Sequence, residues 1–211
     1  MTKGKFIVFE GGEGSGKTSA INIAVEAIKA SGKDVVKTRE PGGTSGAEAI
    51  RSILIVDGAE YDPRTNVMLF AAARRDHVTK LIKPALERGD WVVSDRYVLS
   101  TLAYQGAGEG VPVDYIKNLH DLTAEGILPD LTIILDIDPV IGIERSNKRL
   151  AEQKSNENRF EGYELDFHRR LRQQNIDYDW SDKTIIDASH PIDDVQQEIR
   201  RAIEIFIAKH S

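Results

Sequence analysis

The chain has 211 residues, 40% of them hydrophobic and 29% charged, with a net charge of −6. That balance suits one soluble folded unit and offers no general surface for nucleic acid or an anionic membrane, so an anionic ligand must be gripped by local Arg and Lys. The absence of cysteine excludes disulfides, thiolate zinc sites and thiol catalysis.

No apolar run approaches about 18 residues, so no membrane span is expected. The N-terminus enters a strand without a signal-peptide pattern, and a cytoplasmic protein is the expectation.

Short apolar strands are predicted at 6–9, 34–38, 91–94, 131–136 and 184–187. Helical patterns intervene at 17–30, 46–56, 65–82, 98–106, 113–125, 139–150, 164–178 and 192–209. The alternation predicts βαβ units, hence an α/β fold with a five-stranded parallel sheet covered by helices on both faces.

The first strand runs into Gly11, Gly12, Glu13, Gly14, Ser15, Gly16, Lys17 and Thr18. This stretch matches G-x-x-x-x-G-K-[ST], the P-loop that cradles triphosphates. A strand before it, and Ala20, Ile21, Ala24, Val25 and Ile28 at helical spacing after it, supply the context that the motif needs. Backbone N–H groups and a helix N-terminus then surround one anionic site. Lys17 would reach the β- and γ-phosphates, and the Thr18 hydroxyl would ligate Mg²⁺. Gly32 is a helix stop.

The second strand ends in Thr38-Arg39-Glu40-Pro41-Gly42-Gly43-Thr44. Ligands bind at the carboxyl ends of such sheets, so Arg39 could hold a phosphate in a fork; an ion pair with a nearby acid is the plainer alternative. On the helix 65–82, Phe70 and Arg74 lie one turn apart. A ring there can stack on a base and a guanidinium can bond a base carbonyl, although a helical aromatic taken alone is more often core. His77 is read as structural.

The third strand leads into Asp95-Arg96-Tyr97. Asp95 is placed to approach Mg²⁺ and Arg96 to bind an acceptor phosphate, or the two could be a structural pair. Thr101, Tyr104 and Gln105 follow at i, i+3 and i+4, a hydroxyl, a phenol and an amide suited to a base edge and a sugar. The polar segment 146–162 reads as a solvated loop or as a mobile lid over phosphates. Arg145, Arg149 and Arg159 would supply its charge, because a phosphoryl in transfer must be kept from water. The stripe Val195, Ile199, Ala202, Ile203 and Phe206 in the last helix is expected to pack on the sheet.

With FEGGEGSGKT, TREPGGT, LFAAARRDH, SDRYVLSTLAYQGAG and PDLTIILDID in hand, the chain resembles the thymidylate kinase family over roughly its first 140 residues. The resemblance implies a P-loop NTPase fold, a single kinase domain over 1–211 with a lid at about 145–162, and phosphorylation of dTMP by ATP with Mg²⁺. It implies that Phe70 stacks on thymine, that Arg74 meets a thymine carbonyl, and that Thr101 and Gln105 lie near the base. Tyr104 would lie under the deoxyribose and disfavour a 2′-hydroxyl, Arg39 and Arg96 would hold the dTMP phosphate, and Glu13 would face the sugar.

Gly14 stands where some family members carry an arginine, which points to the bacterial type with lid arginines. The family's common residues are absent at two positions, where this chain has Ala73 and Asn158. A homodimer is implied, and neither nucleic acid nor membrane is expected as a partner. Another P-loop deoxynucleotide or deoxynucleoside kinase and a non-catalytic nucleotide-binding protein are the alternatives. A guanine-reading N-K-x-D is missing, which argues against a regulatory GTPase.

Overall fold

The computed structural model describes residues 3–56, 60–153 and 164–210. Side chains at 56 and 149–153 lie outside that description. Five strands form one parallel sheet: β1 (Phe6–Gly11), β2 (Val35–Arg39), β3 (Trp91–Asp95), β4 (Leu131–Asp136) and β5 (Lys183–Asp187), in the order β2-β3-β1-β4-β5. The expected α/β architecture is therefore present. Register sets the strand ends side by side, with Phe9 opposite Asp95 and Arg39 also opposite Asp95. The loops after β1, β2 and β3 consequently open onto one edge.

The three central strands β1, β3 and β4 are buried on both faces. Ile7, Phe9, Trp91, Val93, Ile133 and Leu135 point into one core with helices α1 (Lys17–Ala30) and α9 (Ile192–Lys209). Phe6, Val8, Val92 and Ile134 point into the other. The period of two within each strand thus survives, although the strand sequences look uniformly apolar because both faces are buried. In α9, Ile199, Ile203 and Phe206 are buried and Val195 packs against the same core. The Phe206 ring meets Trp91 edge-on at 5.6 Å.

The second core is covered by α3 (Pro63–His77), α4 (Lys83–Arg88), α5 (Val98–Thr101) and α6 (Val113–Ala124). The remaining helices are α2 (Ser45–Arg51), α7 (Pro139–Gln153) and α8 (Leu165–Asp177). Three predicted helices are wider than α over part of their length: Ser52–Val56, Val78–Ile82 and Leu102–Gly108 are π-helical. The helix α4 was absent from the sequence reading. Pro84 at its start and the left-handed Gly89 (φ 93) at its end were its signals.

The first part of the expected lid, 145–153, continues α7 as helical backbone. The rest of it, 154–162, lies outside the described residues.

Candidate active site

The loop after β1 takes the conformation that its glycines allow. Gly11, Gly14 and Gly16 have φ of 146°, 67° and 89°, and Gly16 is the N-cap of α1. Lys17 Nζ donates to the carbonyls of Gly11 (3.0 Å) and Gly12 (2.9 Å), and Ser15 Oγ donates to Gly12 (2.8 Å). Burial, with Arg96 beside it, pulls the Lys17 ammonium down to about 8, against Glu13, Asp95 and Glu10. An incoming polyphosphate would restore that charge.

Gly14 also makes a close approach. A Cβ there would stand 2.1 Å from the Gly142 carbonyl on α7, and a Cβ on Gly142 would stand 2.5 Å from the Glu13 carbonyl. The loop and α7 are therefore packed backbone to backbone, which leaves no room for a side chain at Gly14.

Arg96, directly after β3, reaches across to the phosphate loop. Its φ of 69° is unusual for a side chain larger than glycine and stores strain of about 1–2 kcal/mol. The surroundings hold it there: its N–H donates to the Phe9 carbonyl (2.9 Å), and Ser94 Oγ donates to its carbonyl (2.9 Å). Its guanidinium donates to Glu13 (2.9 Å), Ser100 Oγ (3.0 Å) and the Tyr104 hydroxyl (3.3 Å). Tyr104 also donates to Glu13 (3.1 Å). Burial opposes the Arg96 charge, but Tyr104, Glu13, Glu10 and Asp95 together outweigh it and push its pKa up. Arg96 thus stays cationic, which an acceptor phosphate requires.

Beneath it lies Glu10, fully buried. Its carboxylate accepts from the Tyr97 N–H (2.9 Å), the Ser100 N–H (3.2 Å) and Ser100 Oγ (2.7 Å). Burial raises its pKa, and Arg96 and these bonds pull against that. Glu10 ties the end of β1 to the start of α5, and the sequence reading gave it no role.

Thr18 is exposed on the first turn of α1, and Asp95 ends β3, which pairs with β1. Asp95 Oδ1 is buried and has no hydrogen-bond partner among the described residues. A hydroxyl and an orphaned carboxylate oxygen fit a hard cation such as Mg²⁺, which is held by one or two protein oxygens plus phosphates.

The loop after β2 holds two different arginine pairs. Arg39 donates to both oxygens of Glu48 (3.2 and 3.1 Å) and is half-exposed. The Gly43 N–H, then Arg39, hold the Glu48 carboxyl below its usual range. Arg74 is 3% exposed. Its Nε donates to Glu40 (2.7 Å) and its Nη2 to Thr101 (3.1 Å). The other Glu40 oxygen meets His77 Nδ1 at 3.0 Å, and His77 Nε2 lies 2.7 Å from Thr38 Oγ1. His77 is therefore structural, as its sequence context suggested, but it forms part of the scaffold under Arg74.

Phe70 is only partly buried and belongs to neither core. That leaves its ring available to a ligand. Gln105 is 1% exposed and reaches Glu109 at 3.5 Å.

Direct bonds thus join Arg74 to Thr101, and separately join Arg96, Tyr104 and Glu13 to one another. Of the three candidate lid arginines, Arg145 donates to the Ala188 carbonyl (2.9 Å), in the turn after β5. Arg149 lies on α7 backbone with its side chain outside the described residues, and Arg159 lies outside them altogether.

The sequence is similar to known proteins over most of its length. The sequence model of the family described as "Thymidylate kinase" matches residues 9–199. A thymidylate kinase of Halalkalibacterium halodurans is 41% identical over 208 residues, covering 97% of this chain and 98% of its own length. One from Leuconostoc citreum is 42% identical over 209 residues (97% and 96%). One from Caulobacter vibrioides is 47% identical over 173 residues (82% and 81%). A P-loop on β1, a matched family model over most of the length and near full-length relatives above 40% identity lead to one conclusion: the chain belongs to the thymidylate kinase family.

Proposed function

We propose that this cleft performs the thymidylate kinase reaction, transfer of the γ-phosphoryl of ATP to the phosphate of dTMP, giving dTDP and ADP. The observation that carries the reading is the Arg96 guanidinium, bonded at once to Glu13 of the phosphate loop and Tyr104 of the acceptor helix. In this reading the donor and the acceptor phosphate meet beside it.

In this reading the N–H groups of residues 11–18 and Lys17 receive the ATP phosphates. Thr18 and Asp95 would hold Mg²⁺, which neutralises phosphate charge when bound. The dTMP phosphate takes Arg96 and draws Arg39 from Glu48. Phe70 stacks on thymine, Arg74 meets its carbonyl, Thr101 and Gln105 line the base, and Tyr104 with Glu13 flank the sugar.

The acceptor phosphate has a second pKa of about 6, so it is already an anionic nucleophile and needs no general base. What the protein must supply is alignment and offset of phosphate repulsion, the role given to Lys17, Arg39, Arg96 and the lid arginines Arg145, Arg149 and Arg159. Loss of an arginine that acts on the transferring group costs about 10³–10⁵ in rate in phosphoryl transferases.

The whole chain 1–211 acts as one domain in this reading, in the cytoplasm, as a homodimer. Met68 on α3 and Leu122 on α6 are 53% and 78% exposed, and a partner copy would cover such side chains. Among the described residues no helix is long and apolar enough to cross a membrane.

An ADP-release assay with ATP and Mg²⁺ tests the reaction, with dTMP, dUMP, thymidine, dCMP, dGMP and AMP as acceptors. The expected result is turnover with dTMP well above the rest. Preferred turnover of thymidine or another monophosphate would overturn the substrate, and no turnover with any acceptor would overturn the enzyme.

A further inference from the structure

The helix that carries Thr101, Tyr104 and Gln105 is covered by α8, and the contact is specific. Phe167 of α8 is 4% exposed. Its ring meets that of Tyr104 edge-on, centroids 6.1 Å apart at 67°. Ala103, Tyr104, Phe167 and Leu171 form a small apolar cluster separate from the two main cores. The approach depends on Gly108, where a Cβ would stand 2.4 Å from Phe167 Cε2. Arg170, nearly one turn on, donates to the carbonyls of Ala107 (3.1 Å) and Gly108 (3.4 Å), at the end of the π-helical segment. It therefore ties α8 to the same helix end.

Tyr104 is thus fixed from two directions. Its hydroxyl is bonded by Arg96 and Glu13, and the Arg96 guanidinium lies 5.2 Å from its ring centroid. Those bonds locate the tip. They leave the far side of the ring and the depth of its helix to other contacts. An edge-on aromatic neighbour supplies them.

We propose that Phe167 is a positioning residue for the acceptor site: through Tyr104 it sets the fit to a 2′-deoxyribose and the rejection of a ribose. The proposal rests on the placement of Tyr104 at the acceptor sugar given above.

The test is steady-state kinetics with dTMP, with ribothymidine 5′-monophosphate and with ATP, on Phe167→Leu, Arg170→Ala and Tyr104→Leu. Phe167→Leu is expected to raise KM for dTMP and to lower the deoxyribose-over-ribose ratio of kcat/KM by about tenfold, with KM for ATP changed less than about twofold. Arg170 is exposed, so its variant will fold; it is expected to lower the same ratio by about threefold.

A merely structural Phe167 would lower Tm and leave the ratio alone. An unchanged ratio in Phe167→Leu overturns the proposal if Tyr104→Leu shifts it, and an unchanged ratio in all three overturns the placement of Tyr104 instead. If Phe167→Leu does not fold, Arg170→Ala decides by the same criterion.

Discussion

The Arg74 guanidinium is buried and that of Arg96 partly so, and the sequence announces them unequally. Spacing put Phe70 and Arg74 on one helix face, and the strand end put Arg96 in the cleft. The acids that hold them were not legible as partners. Glu40 lies 34 positions before Arg74, and Glu13 lies 83 positions before Arg96. A lone carboxylate carries no local signal of a partner so far along the chain.

Burial works against the Glu40 charge, yet Arg74 and His77 outweigh it and keep its pKa below the usual carboxylate value. Glu40→Gln leaves Arg74 buried and uncompensated. We expect a loss of about 3–5 kcal/mol in urea unfolding, the usual effect of breaking a buried pair from one side, together with a raised KM for dTMP. Unchanged stability would show that Arg74 is paired elsewhere.

Among the elements, α7 has a role that periodicity alone does not reveal. Its Gly142 meets the phosphate loop backbone to backbone. Gly142→Ala pushes a methyl against the Glu13 carbonyl and is expected to raise KM for ATP several-fold, with about 1–3 kcal/mol of overpacking strain. An unaltered KM for ATP with full stability would mean that the loop yields freely.

The strands and most helices were readable because both sheet faces and the α9 stripe impose periods on the sequence. The π-helical segments were not, since they run for only 5, 5 and 7 residues, too few for a changed period to show in the apolar pattern. The consequence falls on the acceptor helix. Thr101, Tyr104 and Gln105 share a face on an α template, but they reach three different partners, Arg74, Arg96 and Glu109.

Across the whole molecule, one buried histidine sets an acid limit. His120 on α6 is 1% exposed. Its Nε2 lies 3.2 Å from the Ile127 carbonyl, which can only accept, so the neutral ring carries its proton there. Its buried Nδ1 has no partner among the described residues. Burial, with Arg74 adding to it, pulls its pKa from 6.5 to about 4, against Glu40.

A histidine depressed on folding binds its proton more readily in the unfolded chain. Its neutral form therefore contributes full stability above pH 6.5, and that contribution is lost as pH falls toward about 4. Between pH 7 and about pH 5 this amounts to about 2 kcal/mol. Urea unfolding at the two pH values should show that difference, and His120→Gln should reduce it; an equal difference in the variant would assign the effect to other groups.

Periodicity, glycine placement and motif spacing are local properties of a chain, and they were enough to read the sheet, the phosphate loop and the kinds of side chain at three strand ends. Which acid answers which arginine, how tightly α7 seats on the loop and the packing of α8 against Tyr104 emerge only in the folded molecule. Those contacts join residues far apart in the chain, and their geometry exists only once the sheet has brought its strand ends together.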